Sequence, residues 1–442
     1  MTPVRLDRSS WPSVARPVRI AHIGVGNFAR AHQAWYTAHA EPDGGWGIAA
    51  FTGRHTTVAD TLTRQDGLYT LIERGPQSDR LEVIDVLAEI HPAADLSTLT
   101  SLIAAAPTAV VTLTVTEAGY SPSGVPGELE PVPVRLARGL AARWASGGGS
   151  LAIVSCDNVQ ANGSLLRALT LEAAEKLGQP EIGAWIESEV AFVSTSVDRI
   201  TPRSTDRDRE LVAAQLARAD DAPVVCEPFT DWVLGGEFPG GRPRWELAGA
   251  RFVEDVEPWE RRKLWLLNGG HSLLAYMGLF RGHATVADAC ADPELDRALD
   301  AFWDLAVRHL PAAAELDLGA YRAQLEARFA NRRIGYALTQ IAADGLGKLR
   351  NRVVPVVEAA IAAGEPPDPA LRIIAAWARW LDDLGELPAA DAGAGDLNPL
   401  LRSVGGKDRV RVLLDMLVPS WGRHDALVDV TNRLLAGLAA GG

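Results

Sequence analysis

Early in the chain a short apolar run leads straight into a glycine-rich turn. Residues 18–23 (V-R-I-A-H-I) have the length and composition of a buried strand, and G-V-G-N-F-A follows at once. Gly24, Gly26 and Ala29 therefore fall at the spacing G-x-G-x-x-A. The first glycine of such a turn makes the tight bend, and the second lets the backbone approach a pyrophosphate. The small third residue lets the following helix pack against the strand. A helix is expected over residues 28–40, its first N–H groups free for phosphate. A strand, this turn and a helix in that order constrain the N-terminal region to a parallel α/β sheet that binds a dinucleotide.

The next strands agree with that plan. Residues 47–52 (G-I-A-A-F-T) read as the second strand. An NAD-specific site usually ends this strand with an acid that holds the ribose hydroxyls. Here T-G-R stands instead, and Arg54 has three roles open to it: facing a 2′-phosphate, stacking on adenine, or lying solvated in a loop. NAD is the expected cofactor, and NADP is compatible with the missing acid. Residues 109–116 (A-V-V-T-L-T-V-T) form a β-branched strand followed by Glu117. Residues 151–154 form another, with S-C-D-N after it, at the strand end where an open α/β sheet places its ligand crevice. The competing reading of Asp157 or Asn158 is a cap for a helix starting near Asn162. Residues 192–200 are strand-like, and residues 386–399 read as a loop.

After about residue 250 the strand-like runs stop and Ala/Leu/Arg helical patterns take over. The expected fold class is α/β. A Rossmann-type, doubly wound sheet domain over residues 1–250 precedes a mostly α-helical domain over residues 251–442.

Residues 260–277 (E-R-R-K-L-W-L-L-N-G-G-H-S-L-L-A-Y-M) open the helical part. Leu264, Leu267, Leu274 and Met277 recur at helical spacing. Lys263, Asn268 and His271 do not belong in a plain core helix. At about 100° per residue Asn268 lies about 140° from Lys263 and His271 about 80° from it, so all three share one broad side. An amine, an amide and an imidazole together suit the handling of a hydroxyl or carbonyl. The competing reading is a solvated lysine beside two satisfied polar residues. Gly269-Gly270 costs helix propensity, about 1 kcal/mol per glycine, which suits close approach of a ligand or another element.

Composition narrows the classes. A net charge of −13 argues against a nucleic-acid partner. No apolar run approaches the roughly 18 residues of a membrane span, and the N-terminus has no apolar signal core, so a cytoplasmic location is expected. Cys156, Cys226 and Cys290 form neither a disulfide framework nor a C-x-x-C knuckle, and no H-E-x-x-H pair occurs; no metal is expected.

Taken together the motifs resemble the mannitol dehydrogenase family of polyol-specific long-chain dehydrogenases, which includes mannitol 2-dehydrogenase and fructuronate reductase. The matching segments are G-V-G-N-F-A-R-A-H at 24–32, Q-D-G-L-Y-T-L at 65–71 and T-V-T-E-A-G-Y at 114–120. S-C-D-N at 155–158, V-D-R-I-T-P at 197–202 and K-L-W-L-L-N-G-G-H-S at 263–272 complete the set. The resemblance implies that Lys263 is the general base and that Asn158 and Asn268 hold the developing oxyanion. It implies that His271 orients the reacting oxygen, that Glu260 passes protons to solvent, and that Asp198 lies near the active site. The candidate cofactor-binding residues are Gly24, Gly26, Asn27, Phe28, Ala29, Arg54, Thr116 and Glu117. A lysine base must shed its proton near neutral pH, which burial favours.

The departures concern the substrate. Residues 340–348 (Q-I-A-A-D-G-L-G-K) resemble the family segment R-x-x-x-D-G-S-x-K, but Gln340 stands where mannitol dehydrogenases carry arginine. Lys348 matches a residue that contacts distal hydroxyls, and Arg352 has two readings, a clamp for a substrate carboxylate or phosphate and a surface arginine. The expected activity is NAD(P)-dependent interconversion of a sugar alcohol and its ketose by hydride transfer at C2, with mannitol and fructose as the default pair. A hexuronate reductase acting on fructuronate or tagaturonate, or a polyol-phosphate dehydrogenase, is the alternative. A non-catalytic dinucleotide-binding protein is the remote one. The only partner implied is the small-molecule substrate, and the family's common state is a monomer.

Overall fold

The computed structural model describes residues 3–53, 57–115, 117–120, 129–312, 316–388, 391 and 394–440. The chain forms two compact units, Met1–Glu257 and Pro258–Gly442.

In the first unit eight strands build one sheet: β1 (Val18–Ile23), β2 (Gly47–Phe51), β3 (Leu87–His91), β4 (Val110–Leu113), β5 (Leu151–Ser155), β6 (Val190–Asp198), β7 (Asp231–Gly235) and β8 (Arg251–Phe252). Their spatial order is β8-β7-β6-β5-β4-β1-β2-β3. Strands β3 to β6 around β1 are parallel, and β7 runs antiparallel to β6. The order 3-2-1-4-5-6 is that of the dinucleotide-binding Rossmann fold, and it reverses between β1 and β4. Successive side chains of a strand point to opposite faces, and both faces here are covered. Ile20, Val110, Ala152 and Val154 enter one core with Tyr36, Trp232 and Trp245. Ala21, Ile23, Val111, Leu113, Leu151 and Ile153 enter the other with Leu136, Leu140 and Leu166. A second, three-stranded sheet joins Val224–Cys226, Tyr69–Arg74 and Asp79–Ile84.

Two expectations about helices are corrected. The helix expected over 28–40 is two pieces, α1 (Asn27–Ala31) and α2 (Gln33–Ala40), broken at His32. His32 Nε2 donates to the Asp231 carbonyl at 3.0 Å, and its ring stacks on Phe28, which pulls the residue off helical dihedrals. The loop expected over 386–399 becomes helical from Ala394 to Ser403, with Pro399 inside the helix. The Asn398 amide anchors this segment by bonding both the N–H and the carbonyl of Leu387.

The second unit is helical. Helix α3 (Gly269–Phe280) lies at its centre, with every residue from Gly269 to Gly278 buried. A helix that is apolar on all sides is stable only when surrounded. Around it pack α4 (Pro293–His309), Leu338–Ala342 and α5 (Asp368–Leu384). Among the described residues no helix is long and apolar enough to cross a membrane.

Candidate active site

Within the first unit, the turn after β1 sits where the strand order reverses. Gly24 has φ +99°, and a Cβ there would lie 2.1 Å from the Thr114 carbonyl oxygen, so only glycine fits. The N–H groups of Gly24 and Val25 both reach the Phe51 carbonyl at 2.8 Å. Thr114 Oγ1 donates to the Gly24 carbonyl at 2.8 Å. Gly26 differs: its Cβ would meet nothing closer than the Gly24 oxygen at 3.9 Å. Packing among the described residues does not demand glycine at 26; close approach of a phosphate to the backbone would. Helix α1 begins at Asn27 without a side-chain cap, and N–H groups at such a helix start can receive an anion. Asn27 Oδ1 accepts from Arg30, Ala29 is buried against the sheet and Phe28 is half-buried. These residues fit a dinucleotide.

At the end of β2 the Thr52 hydroxyl is turned inward and accepts from the Ala93 N–H. Arg54 and Thr116 lie outside the described residues. Glu117 opens a 3₁₀ turn, Glu117–Tyr120, and only its backbone is described.

The end of β5 carries S-C-D-N. Asn158 is exposed there, while Asp157 before it is buried. The helix that follows, Asn162–Lys176, has no side-chain cap; its N-cap is Ala161 at φ +51°, so the capping reading of Asp157 and Asn158 is wrong. Asp157 instead accepts from the Val115 N–H at 2.5 Å and from the Tyr120 hydroxyl at 2.5 Å. Burial pushes its carboxyl up to about 7, against the pull of those hydrogen bonds. Asp198 is buried at the end of β6, directly opposite Asp231 of β7.

Within the second unit, the helix leading to α3 changes its winding. Glu257–Arg262 is α-helical, and Lys263–Asn268 is a π-turn. The Gly269 N–H reaches the Leu264 carbonyl, five residues back. A wider turn brings residue i+5 over residue i, so Asn268 lies closer above Lys263 than the 140° expected for an α-helix. Insertions of this kind leave carbonyls to be satisfied from elsewhere. Trp303 Nε1 donates to Leu266 O at 2.8 Å, and Ser272 Oγ to Asn268 O at 3.1 Å. Lys263, Asn268 and His271 are all buried, and Glu260, one turn earlier, is half-buried. The His271 ring stacks on Phe329 at 4.6 Å and meets the edge of Tyr336 at 5.5 Å, which fixes its plane. Gly269 and Gly270 serve close packing of helices. A Cβ at 269 would press on the Phe302 ring at 2.7 Å, and one at 270 on Leu299 at 3.0 Å, both on α4.

The residues expected at the far end of a substrate separate. Gln340 is exposed. Lys348 and Arg352 share helix Gly345–Arg352 one turn apart. Lys348 Nζ donates to the carbonyls of Ile341, at 3.0 Å, and of Ala343. Burial, with Arg352 nearby, lowers the Lys348 amine to about 8. Arg352 Nη1 approaches Asn268 O at 3.4 Å and Ser272 Oγ at 3.3 Å, so it touches the segment that carries the amide and imidazole. Among the described residues no cluster of His, Cys, Asp and Glu is arranged to hold a metal ion.

Within the first unit, the bond from Tyr120 to the Asp157 carboxylate is a contact that no spacing in the sequence announces, and within the second the same holds for Ser272 and the Asn268 carbonyl. Tyr120 and Ser272 close the motifs at 114–120 and 263–272, and Asp157 lies inside S-C-D-N, where an acid also suited a helix cap; the motifs marked these residues without showing their contacts.

Residues 18–247 match the mannitol dehydrogenase Rossmann domain, and residues 255–417 match the mannitol dehydrogenase C-terminal domain. The chain is 34% identical to D-mannonate oxidoreductase of Escherichia coli (strain K12) over 440 residues, spanning 92% of this chain and 90% of that protein. It is 35% identical to D-arabinitol 4-dehydrogenase of Ralstonia nicotianae over 379 residues, 80% of this chain and 81% of that one. The structure superposes on Pseudomonas fluorescens mannitol 2-dehydrogenase, solved as a ternary complex with NAD and D-mannitol. There the TM-score is 0.87 at 30% identity, covering 99% of this chain and 98% of that chain. The chain belongs to the mannitol dehydrogenase family of oxidoreductases.

Proposed function

We propose that this protein is an NAD(P)-dependent dehydrogenase that interconverts a sugar alcohol and its ketose, with mannitol and fructose as the reference pair. The observation that carries this reading is the buried set Lys263, Asn268 and His271 on one helical segment whose winding changes between the lysine and the asparagine. A solvated lysine with two incidental polar neighbours would not be buried together in this way.

The roles are those that the resemblance to the family implies, and the chemistry of the groups is compatible with them. Lys263 Nζ takes the alcohol proton in oxidation and returns it in reduction. The amides of Asn158 and Asn268 donate to the oxygen as negative charge builds on it. His271, with its ring plane fixed by Phe329, holds that oxygen in line. Glu260 passes the proton from Lys263 toward solvent, and Asp198 matches an acid that the family pattern has near its active site. The turn Gly24–Ala29 receives the pyrophosphate, with Thr116, Glu117 and Arg54 further along the dinucleotide. A nicotinamide dinucleotide, when bound, supplies the hydride acceptor or donor for the carbinol carbon. NAD is the preferred cofactor on the precedent of the Pseudomonas fluorescens complex.

Relatives of similar identity are named for mannonate, arabinitol and mannitol, so identity alone does not choose the substrate. One observation favours an acidic one. Lys348 and Arg352 lie one turn apart, while an exposed glutamine, Gln340, stands where the family resemblance puts an arginine. A lysine and an arginine one turn apart suit a carboxylate, as on a hexuronate.

Fluorescence titration with NADH and NADPH, followed by reductive assays with fructose, fructuronate, tagaturonate and fructose 6-phosphate, tests both readings. Turnover of fructose alone supports the polyol assignment. Turnover of a uronate alone transfers the assignment to a hexuronate reductase. Nucleotide binding without turnover of any of the four rejects both substrate classes.

A further inference from the structure

The last rung between β4 and β5 is the Cys156 N–H to the Leu113 carbonyl, at 2.9 Å. Beyond it the backbones part, and the side chain of Asp157 spans the gap. Its Oδ1 accepts from the Val115 N–H at 2.5 Å and its Oδ2 from the Tyr120 hydroxyl at 2.5 Å. Ser155 Oγ lies 2.7 Å from the same phenol oxygen. The carbonyl of Asp157 is held in turn by Asn162 Nδ2 at 2.9 Å. Residue 157 is thus fixed at both side chain and main chain, and the exposed Asn158 comes next. On the other side of the bridge Val115 follows Thr114, whose carbonyl closes on Gly24 and whose hydroxyl donates to it.

An acid at this place is expensive. Burying a carboxylate without a cation costs several kcal/mol unless hydrogen bonds compensate. A cap or a plain turn would do as well with asparagine or serine. What distinguishes the carboxylate is two acceptor oxygens for two donors, the Val115 N–H and the Tyr120 O–H; an amide offers one oxygen and would oppose the second donor with its own N–H.

We propose that Asp157 is a positioning residue for Asn158: by bridging Val115 and Tyr120 it sets the backbone from which Asn158 acts and ties that backbone to the Gly24 turn. The inference rests on the assignment of Asn158 as an oxyanion donor.

The test is a double-mutant cycle of Asp157→Asn and Asn158→Ala, reading kcat, NADH affinity by fluorescence, and Tm. Asp157→Asn is nearly isosteric and keeps one of the two acceptors. It should lower kcat about tenfold in the wild-type background and have little further effect once Asn158 is alanine, because residues acting through one another are not additive. Its NADH affinity should stay within about twofold of wild type, since the Gly24 turn is retained. Tyr120→Phe, which removes one donor, should fall between wild type and Asp157→Asn. Wild-type kcat in Asp157→Asn, or losses that multiply in the double variant, would overturn the proposal and leave Asn158's own role intact. Loss of NADH binding or a large drop in Tm in Asp157→Asn would also overturn it, making Asp157 structural. Wild-type kcat in Asn158→Ala would remove Asn158 from the chemistry and the positioning role with it.

Discussion

The guanidinium of Arg352 reaches the carbonyl of Asn268 at 3.4 Å, at the residue where the π-turn gives way to α3. The same nitrogen lies 3.3 Å from Ser272 Oγ, which itself donates to that carbonyl. Arg352 is therefore a support for the segment that carries Asn268 and His271, besides being a cation. Lysine is shorter and carries a point charge, so its ammonium would not reach the same place between the two oxygens. Arg352→Lys should lower kcat/KM for fructose and for fructuronate alike by about tenfold or more, the loss of a charged hydrogen bond being worth ~1.5–3 kcal/mol. A loss confined to the acid would make Arg352 only a carboxylate clamp.

Lys263→Ala removes the proposed base while leaving the first unit untouched. Turnover should fall by roughly 10²–10⁴-fold, the usual contribution of general acid–base catalysis. NADH affinity should be nearly unchanged, because the nucleotide turn belongs to Gly24–Ala29. Loss of NADH binding in this variant would identify Lys263 as structural instead.

Lys348 gives a pH test of substrate class. With its amine lowered to about 8, it loses charge as pH rises through that value. If it faces a substrate carboxylate, KM for fructuronate should climb above about pH 8 while KM for fructose stays flat. Parallel profiles for the two sugars would take Lys348 away from the acid group.

The strand positions were legible because buried parallel strands are short apolar runs, and β1, β2 and β5 fall within a residue of where the sequence places them. The π-turn was not legible. K-L-W-L-L-N-G-G-H has ordinary helical periodicity, and the wider winding depends on Trp303 and Arg352, which supply partners for its carbonyls from far along the chain. The break at His32 was hidden for the same reason, since its partner is the carbonyl of Asp231. Q-D-G-L-Y-T-L was visible only as a motif. Its glutamine joins Leu68, Asp220 and Asp221, so the motif is a structural knot under the second sheet. Long-range polar contacts leave no period in a sequence, and these are the features that were missed.

His22 and Asp157 should pull stability in opposite directions with pH. His22 is buried on β1 against Thr112 Oγ1 at 2.8 Å, and burial lowers its imidazole to about 4. The unfolded chain then binds the extra proton between pH 4 and 6.5, so this contribution is full above about 6.5 and is lost on acidification, about 3 kcal/mol in all. Asp157 is raised from 3.8 to about 7, so the folded state holds the extra proton. Its contribution is full below about 3.8 and is lost, by about 4 kcal/mol, as pH rises to 7. Relative to wild type, the Tm of Asp157→Asn should therefore improve from pH 4 to 7, and that of His22→Asn should worsen from pH 4 to 6.5. Tm differences that do not change with pH would mean neither group keeps a shifted proton affinity in the fold.

Gly24 and Gly26 stand two residues apart in one motif but should fail differently. Alanine at 24 meets the Thr114 oxygen at 2.1 Å with φ at +99°, so the turn, β4 or both must move. The left-handed conformation alone costs roughly 1–2 kcal/mol, and the clash adds to it. Gly24→Ala should lower Tm by roughly 5–10 °C, as about 3 kcal/mol does in a domain of this size. Alanine at 26 has its nearest neighbour at 3.9 Å and a negative φ, so Tm should hold within about 2 °C. Its methyl group would instead occupy the space a pyrophosphate needs, and NADH should bind about tenfold more weakly or worse. Scanning calorimetry and NADH titration of both variants separate the two requirements. If Gly26→Ala binds NADH as tightly as wild type, the phosphates do not approach the backbone at that residue, and the nucleotide assignment of the turn has to be redrawn around Gly24 alone.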